Sequence, residues 1–335
     1  MTLEERVGSQ LAVVVPGTEA TAPVIEALRA TRANSLVVFA QNFTSAEQFT
    51  ELIRRLEDGI GRRLFLMVDH EGGRIHRFGA GLTHFPDQQS LGQSDPGAIE
   101  RQGRTEAEEL KRLGIAMNLA PCVDVLDDGC DPIIGDRSYG TDPGRVAALG
   151  VARIRGLQSH GLAACAKHFP GLGAVPRDPH KLLPTIALDW RDMEEIHLPP
   201  FQAAIEQGVA AVMSSHVCYP HLGEPDGLPA TFSPRLIRGV LRDRMQFGGV
   251  ILTDALDMGA LRAFGTLGES AVRAAEAGHD MFLICSDLDD AKEALSRLCD
   301  AYRSGRLDQA QLALSVERIE QLRKNFLPVP IERVS

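Results

Sequence analysis

Residues 249–254 read Gly-Val-Ile-Leu-Thr-Asp, an apolar run that ends on a threonine and a carboxylate. Runs of the same kind recur through the chain, and each is followed by a polar or glycine-containing loop and then by a segment with helical spacing. Their continuous apolar character is typical of parallel strands that are buried on both faces. The eight predicted strands are 11–15, 36–39, 64–68, 117–120, 163–166, 211–213, 250–252 and 281–284.

Eight strand–loop–helix units follow one another without a Ser/Gly linker, a low-complexity tract or a shift in composition. A chain of 335 residues is long enough for two domains, but β/α barrels of this size often fold as one unit. The pattern therefore predicts the α/β class and a closed, TIM-like (β/α)8 barrel, with residues 1–335 in a single domain. Helices are expected at 146–157, 190–207 and 236–245, and a last helix at 308–324 is expected to pack on the outside.

The composition favours a small or neutral partner. The hydrophobic fraction is 44%, the charged fraction is 24% and the formal net charge is -10. This negative balance argues against nucleic acid and anionic membranes, because both attract a positive surface. No apolar run has the pattern of a signal peptide or a membrane span. The six cysteines form no CxxC pair, so reduced thiols and a cytoplasmic protein are expected.

Charged residues and histidines interrupt the apolar runs at one end. They are Asp69 and Arg77 after the third predicted strand, Arg137 beyond the fourth, Lys167 and His168 after the fifth, Asp178 and His180 on the loop that follows, His216 after the sixth and Asp254 after the seventh. In a β/α barrel the carboxyl ends of the strands meet at one mouth, where the chemistry gathers. Any one of these residues could cap a helix or form a structural ion pair. Together they would bury costly charge unless a polar ligand or mutual pairing compensates it.

These residue types suit a ligand that carries several hydroxyl groups. Gly72 and Gly73 allow a sharp turn, which leaves the Asp69 carboxylate free to accept hydrogen bonds from vicinal hydroxyls. The ionised or imidazole donors around it are Arg77, Arg137, Lys167 and His168. The sequence contains no phosphate-binding glycine motif and no nicotinamide or flavin pattern, so neither a cofactor nor a metal is expected. A small carbohydrate is the predicted ligand.

Two groups could carry the reaction. Asp254 is held at the end of a strand, as a carboxylate that attacks an anomeric carbon should be. Asp178 and His180 lie two residues apart, so that the carboxylate can orient the imidazole. A histidine with an ordinary pKa of about 6.5 suits a group that first donates a proton and later accepts one. The residues therefore predict one nucleophile and one acid/base pair.

Several motifs resemble those of glycoside hydrolase family 3, and within it the single-domain bacterial β-N-acetylhexosaminidases that recycle cell-wall fragments. They are VDHEGGRIHRF at 68–78, NLAPCVDV at 118–125, KHFPGLGAVPRDPH at 167–180 and the nucleophile signature at 240–257. The resemblance covers about 14–285, which is most of the chain. It implies a barrel enzyme that hydrolyses terminal β-linked N-acetylglucosamine.

The resemblance also implies a role for each residue at a matching position. Asp254 would form a glycosyl-enzyme intermediate, and His180, oriented by Asp178, would act as the acid/base. The residues that would hold the sugar are Asp69, Arg77, Arg137, Lys167 and His168. Because covalent catalysis proceeds by two successive displacements, the anomeric configuration would be retained.

The chain departs from the family pattern at three positions. Leu172 stands where histidine is usual, Pro179 replaces a serine within the acid/base pair, and His70 stands where glutamine is usual. Pro179 fixes its own backbone and pushes Asp178 toward an extended conformation. The geometry of this loop is therefore open, whereas the change at His70 is expected to be minor.

Other functions are compatible with the same residues. A histidine acid/base leaves less negative charge near the anomeric carbon than a carboxylate does, so phosphate could replace water as the acceptor. Another β-glycosidase activity, and a sugar-binding protein impaired by Leu172 and Pro179, are further alternatives. A metal-dependent hydrolase using His168, His180, His216 and Asp254 is disfavoured because the sequence shows no close ligand pair such as HxH. Neither the aglycone nor the oligomeric state has a signal in the sequence.

Overall fold

The structure is a computed structural model that describes residues 1–79, 81–127, 133–175 and 183–328. Eight strands form its sheet. They are β1 (Leu11–Val13), β2 (Ser35–Val38), β3 (Phe65–Val68), β4 (Ile115–Asn118), β5 (Ala163–Phe169), β6 (Ala211–Ser214), β7 (Val250–Thr253) and β8 (Phe282–Ile284). Each predicted strand overlaps one of these, which confirms the interpretation of the apolar runs.

Helices alternate with the strands. The α-helices are α1 (Leu3–Ser9), α2 (Ala22–Ala30), α3 (Ala46–Ile60), α4 (Pro96–Arg112), α5 (Pro143–Ser159), α6 (Trp190–Asp192), α7 (Leu198–Glu206), α8 (Leu267–Ala277), α9 (Leu288–Arg303) and α10 (Gln309–Phe326). Two wider, π-type helices span Met193–His197 and Arg235–Arg244. Short 3-10 turns lie at Ala40–Asn42, Gly135–Arg137, Pro220–Leu222, Ala230–Phe232 and Gly259–Phe264.

The helix boundaries follow the polar residues that precede them. The Asp142 side chain accepts hydrogen bonds from the amides of Gly144 and Arg145, which satisfies donors that a helix start leaves free. Pro143 occupies the first position of α5, where its missing N–H costs nothing. Ser233 caps Arg235–Arg244 in the same way, by accepting from the Leu236 amide at 3.0 Å.

The sheet closes into a barrel. All neighbouring strands are parallel, in the order β7-β6-β5-β4-β3-β2-β1-β8. The two ends of this order meet through a parallel bridge between Leu252 and Met281, and the Thr253 amide donates to the Met281 carbonyl at 3.1 Å. The prediction of a TIM-like (β/α)8 barrel is therefore confirmed. Its carboxyl-terminal mouth collects the ends of all eight strands.

β5 extends three residues beyond its predicted end. Lys167 and His168 belong to the strand itself and do not follow it. The apolar pattern stopped at Ala166 because a lysine and a histidine contradict the hydrophobic pattern of a buried strand. Both side chains are nevertheless buried, with 1% and 3% exposure, so the strand carries polar groups directly into the mouth.

The last helix was expected on the outside of the barrel, and this expectation was wrong. Ile319 and Leu322 of α10 pack in the same buried cluster as Met67, Leu252 and Met281, whose side chains fill the barrel interior. α10 therefore covers the amino-terminal end of the barrel. The amphipathic pattern of the helix was visible in the sequence, but the surface that it covers was not.

None of the helices in the described part of the chain combines the length and the apolar character that a bilayer crossing requires.

We predict that Ile319→Ala lowers the free energy of unfolding by about 2–5 kcal/mol, because Ile319 is fully buried and the truncation leaves a cavity. Leu314→Ala, on the same helix but 42% exposed, is the matched control and should change it by less than about 0.5 kcal/mol. Urea unfolding measures both. Equal effects of the two substitutions would contradict the placement of α10 across the barrel.

Candidate active site

A lysine and two carboxylates form the floor of the mouth. Lys167 Nζ lies 2.6 Å from Asp69 Oδ1 and 2.7 Å from Glu71 Oε1. Glu71 is 2% exposed in its side chain, whereas Asp69 keeps 23% exposure. Asp69 therefore presents an accessible carboxylate at the mouth. Glu71, to which the sequence assigned no role, is the buried partner of the lysine.

Arg137 completes this ion network. It forms a bidentate pair with Glu71, with 2.9 Å from Nε to Oε2 and 2.8 Å from Nη2 to Oε1. Arg137 Nη2 also lies 3.2 Å from His168 Nε2. Four of the predicted sugar-holding residues thus belong to one network centred on Glu71, which Lys167 and Arg137 contact directly. They are Asp69, Arg137, Lys167 and His168.

The turn after β3 requires glycine. Gly72 has a φ of 100°, and a side chain there would come within 2.5 Å of the Pro86 carbonyl oxygen. Gly73 has a φ of 53° and lies against Asp87. Residues with a Cβ rarely adopt such positive angles. The sharp turn predicted from the glycine pair is present, and it points Asp69 and Glu71 toward the same cation.

The charges in the network stabilise one another. Burial opposes the ionisation of Glu71, but the charges of Arg137 and Lys167 hold its pKa well below the ordinary value. Burial likewise lowers the pKa of Lys167, and Asp69 and Glu71 outweigh it, so that the pKa of Lys167 is raised. Lys167 therefore stays protonated and acts as a hydrogen-bond donor, not as a base.

Asp254 lies directly after β7, at the same end of the barrel. Its Oδ1 accepts a hydrogen bond of 2.8 Å from the Ala255 amide, and its own amide donates to the Ser214 carbonyl. Burial raises the pKa of Asp254, but His168, His216 and the Ala255 amide outweigh it, so the pKa lies below its ordinary value. The strand thus presents an ionised carboxylate within electrostatic reach of the network.

Arg77 follows the glycine turn and extends over the Phe39 ring, with 5.6 Å from Cζ to the ring centroid. Its Nε is buried without a hydrogen-bond partner among the described residues. Buried donors are normally satisfied, so an unpaired one at the mouth is consistent with a site for an acceptor from outside the chain. The Arg77 amide donates to His70 Nδ1 at 3.4 Å.

Asp124 orients His168, a role that the sequence did not reveal. Its Oδ2 lies 2.7 Å from His168 Nδ1, and its two oxygens accept from the His168 amide at 3.1 and 3.2 Å. Because a carboxylate accepts only, the proton of a neutral His168 is on Nδ1, and Nε2 is left as an acceptor toward Arg137. Asp124 belongs to the NLAPCVDV motif, but no pattern in the sequence pairs it with a residue 44 positions away.

Cys122, Asp124 and His168 place a sulfur, an oxygen and a nitrogen close together, in a group that could hold a metal ion. However, the Nδ1–Oδ2 distance of 2.7 Å is that of a hydrogen bond, and the Cys122 Sγ donates to the same oxygen at 3.2 Å. Burial raises the pKa of the Cys122 thiol well above its ordinary value, which disfavours the thiolate that a metal requires. We interpret the group as an orienting hydrogen-bond pair.

Arg153 supports the network from behind. It is fully buried and pairs with Glu106 of α4, with 2.9 Å from Nη2 to Oε1. The same nitrogen donates to the His70 carbonyl at 3.1 Å, and Nη1 donates to Gln88 Oε1 at 2.9 Å. Gln88 in turn donates to the carbonyl of Arg137. Two helices are thereby tied to the backbone on both sides of the site.

The predicted acid/base pair, Asp178 and His180, lies in 176–182, together with Pro179 and outside the described residues. The segment that leads to them is described as far as Val175. There the Leu172 amide donates to Asp124 Oδ1 at 2.7 Å. Since this bond uses the backbone, the histidine that is usual at position 172 is not needed for it.

The comparisons with known proteins agree with this geometry. The family model described as "Glycosyl hydrolase family 3 N terminal domain" matches residues 2–322. A β-hexosaminidase of Idiomarina loihiensis is 35% identical over 94% of this chain and 97% of its own length.

Two solved structures show the same likeness. A glycoside hydrolase family 3 β-N-acetylglucosaminidase from a Paenibacillus species is 35% identical, with a TM-score of 0.91 over 97% of this chain, which spans 62% of that longer protein. NagZ from Neisseria gonorrhoeae, in complex with N-trifluoroacetyl-D-glucosamine, is 30% identical, with a TM-score of 0.78 over 93% of this chain and 98% of that one.

The mouth of this TIM-like barrel holds an ionised carboxylate, Asp254, beside a buried network of hydrogen-bond donors and acceptors that suits a sugar. With the relatives described above, this site defines the class of protein as a glycoside hydrolase. Within that class, the chain belongs to glycosyl hydrolase family 3, since the family model covers nearly its whole length.

We predict that Asp124→Asn lowers kcat/KM by about 10- to 100-fold, by analogy with the loss found when a carboxylate that orients a metal-bound histidine is removed. The asparagine amide would face His168 Nδ1 and drive the ring proton to Nε2, where it would oppose the Arg137 N–H. Steady-state kinetics measures the effect. Cys122→Ser is the control, because it keeps a donor to Asp124, and a comparable loss in this variant would contradict the role of the carboxylate.

The low pKa of Glu71 predicts how stability depends on pH. A carboxyl whose pKa is lower in the folded state than in the unfolded state stabilises the fold above about pH 4.3. This contribution is lost as the pH falls toward the folded-state value, by up to about 1.4 kcal/mol for each pH unit. The difference in unfolding free energy between wild type and Glu71→Gln should therefore shrink in acid.

Urea unfolding at a series of pH values tests this dependence. The exposed residue Glu26 provides the matched control, and Glu26→Gln should run parallel to the wild type. A wild-type advantage over Glu71→Gln that stays constant in acid would show that Glu71 is not held ionised by its neighbours.

Proposed function

We propose that this chain is a retaining β-N-acetylglucosaminidase, which hydrolyses terminal β-linked N-acetylglucosamine through a covalent glycosyl-enzyme intermediate. The observation that carries the proposal is the ionised carboxylate of Asp254 at the end of β7, in a family 3 barrel. Relatives named β-hexosaminidase and β-N-acetylglucosaminidase, at 35% identity, support the substrate.

In the first step, Asp254 attacks the anomeric carbon and the bond to the leaving group breaks. Its pKa below the ordinary value keeps it ionised, and the rigid strand limits its motion. In the second step, water attacks the same carbon and the carboxylate leaves. Two inversions at one centre retain the configuration.

We propose that His180, oriented by Asp178, donates a proton to the departing oxygen and later accepts one from water. The support is the resemblance at 167–180 and the anchored start of that segment. The Leu172 amide is bound by Asp124, and the Tyr219 hydroxyl donates to the Gly171 carbonyl at 2.8 Å. The described start of this segment is therefore held in place close to His168.

The sugar would be held by the network on the floor. Asp69 is the accessible carboxylate and accepts from hydroxyl groups, while Lys167 and Arg137 donate. Asp124 keeps His168 Nε2 as an acceptor, which faces the Arg137 N–H, so a sugar hydroxyl that donates to Nε2 would take the place of that N–H. Arg77 brings a guanidinium whose Nε has no hydrogen-bond partner in the part of the chain that the structure describes. Charge-assisted bonds of this kind are about twice as strong as neutral ones.

We further propose that residues 1–335 form one catalytic domain, since the family match runs from 2 to 322. The five cysteines that the structure describes are unpaired, which favours a reducing compartment and a cytoplasmic enzyme. Peptidoglycan-derived fragments are the proposed source of substrate, on the resemblance to the recycling enzymes. The net charge of -10 suits a small carbohydrate better than nucleic acid or an anionic membrane.

Trapping with an activated 5-fluoro N-acetylglucosaminide tests sugar, covalency and nucleophile together. We expect the mass of the protein to increase by one glycosyl group, and the modified peptide to contain Asp254. Asp254→Asn should remove the labelling and lower kcat by about 10⁴-fold or more. Asp257→Asn is the matched control for a neighbouring carboxylate and should still be labelled at Asp254. Label on another residue would overturn the assignment.

A product assay in phosphate buffer separates hydrolysis from phosphorolysis. Hydrolysis yields free N-acetylglucosamine whatever the phosphate concentration, whereas phosphorolysis would yield the 1-phosphate. Formation of N-acetylglucosamine 1-phosphate as the main product would show that phosphate, and not water, is the acceptor, and would overturn the proposal of hydrolysis. Absence of any turnover would instead favour a sugar-binding protein.

A further inference from the structure

A buried chain of hydrogen bonds runs beneath Asp254, and the reaction as proposed uses none of its side chains directly. At its lower end His279 Nδ1 lies 3.1 Å from the Ala274 carbonyl oxygen, and His279 Nε2 lies 2.8 Å from Ser214 Oγ. His279 is 2% exposed and Ser214 is fully buried. Bulk water therefore does not reach these two side chains.

The upper end of the chain reaches the residue next to Asp254. Thr231 Oγ1 donates to the Ser215 carbonyl at 2.8 Å and lies 2.6 Å from His216 Nδ1. His216 Nε2 lies 3.0 Å from the Ala255 carbonyl oxygen. His216 is 1% exposed and Thr231 is fully buried. A weaker contact of 3.3 Å joins Thr231 to Ser214.

The protonation states of His216 and His279 follow from the number of protons available for these hydrogen bonds. The five shorter contacts each need one proton, while two neutral imidazoles and two hydroxyls supply only four. A fifth proton on His279 would not remove the shortage. Thr231 would still have one proton for two acceptors, the Ser215 carbonyl and an unprotonated His216 Nδ1. A proton on both nitrogens of His216 satisfies all five contacts.

We propose that His216 is an imidazolium in the free enzyme and is the positioning residue for Asp254. Its Nδ1 donates to Thr231 and its Nε2 donates to the Ala255 carbonyl. Ala255 is thereby held with its own amide on Asp254 Oδ1, at 2.8 Å. The ring places a buried positive charge beside the carboxylate.

Some of the groups around His216 raise its pKa and others lower it. Burial is the largest effect and lowers the pKa of His216, whereas Asp254, the hydrogen bond to the Ala255 carbonyl and Asp257 raise it and His168 lowers it; these effects alone leave the pKa below its ordinary value. The contact to Thr231 also raises the pKa of His216. The Thr231 hydroxyl already donates its proton to the Ser215 carbonyl, so it can only accept from His216, and only a protonated Nδ1 can donate to it. The hydrogen bond to Thr231 comes in addition to these effects, and in the proposal it is the interaction that keeps the proton on Nδ1 despite burial.

This inference rests on the proposed function in one respect, namely that Asp254 is the nucleophile. A cation beside it would keep the carboxylate ionised before attack and would stabilise it again as it leaves the sugar in the second step. The protonation state itself does not depend on the function, so it can be tested without substrate.

Long-range ¹H–¹⁵N correlation spectra of the full chain labelled with ¹⁵N-histidine test the proposal directly. We expect both ring nitrogens of His216 to resonate in the protonated range at about pH 7, where an unperturbed imidazole is largely neutral. His216→Gln assigns the signals by their loss, and Thr231→Val, which should shift them, assigns them independently if that variant does not fold. A wild-type spectrum with one unprotonated ring nitrogen on His216 would overturn the proposal, whatever the activity of the enzyme.

Asp254→Asn provides the second measurement. Removing the negative charge should convert His216 to a neutral ring at the same pH, because its strongest stabilising partner is lost. A spectrum of His216 that is unchanged in Asp254→Asn would show that the ring does not respond to the carboxylate. Failure of the trapping experiment together with an imidazolium signal would instead refute the proposed function and leave the charge pair intact.

Kinetics distinguishes positioning from mere packing. Thr231→Val should lower kcat about tenfold with KM changed less than about twofold, since the position of the nucleophile matters in the transition state more than in substrate binding. Thr231→Ser restores the hydroxyl and should recover most of the loss. Equal losses in the two variants would assign Thr231 to packing and contradict the positioning role.

Discussion

The mouth of the barrel depends on one buried carboxylate. Glu71 lies between Lys167 and Arg137 and neutralises two cations that would otherwise repel each other in a poorly hydrated space. A single unpaired charge in such a place would be expensive, and a shared carboxylate makes the pair of cations tolerable. Because the three groups come from different loops and strands, the ion network also fixes the distance between β3, β5 and the turn at Gly135–Arg137.

Around this centre the structure separates two environments. Below it, the barrel is filled by apolar side chains such as Met67, Met117 and Leu252. Above it, polar side chains of the site are oriented by neighbouring groups, as His168 is by Asp124. The low dielectric of the first layer strengthens the electrostatic interactions of the second. Rigid packing and polar chemistry therefore support each other at the boundary between the two layers.

Much of the fold was predictable, because eight buried parallel strands leave a strong signal in the sequence. The strand ends were harder to predict where chemistry interrupts the pattern, as Lys167 and His168 do inside β5. The surface on which α10 packs was not predictable either, since amphipathicity identifies the buried face of a helix without its partner.

The site was predictable as a set of residue types at one end of the strands, and less so as a set of pairs. Asp69 and Lys167 were both identified, but Glu71 is the carboxylate that both Lys167 and Arg137 share. Asp124 and Thr231 had no distinguishing pattern, because a carboxylate or hydroxyl that orients a histidine is recognised only by distance. Asp178 and His180 remain predictions that rest on sequence alone.

The position of α10 across the lower end of the barrel determines how molecules reach the site and leave it. With Ile319 and Leu322 closing that end, molecules enter and leave through the opposite opening. In the proposed reaction, the leaving group would therefore depart along the route by which water arrives, and it would have to clear the mouth before water could reach the anomeric carbon.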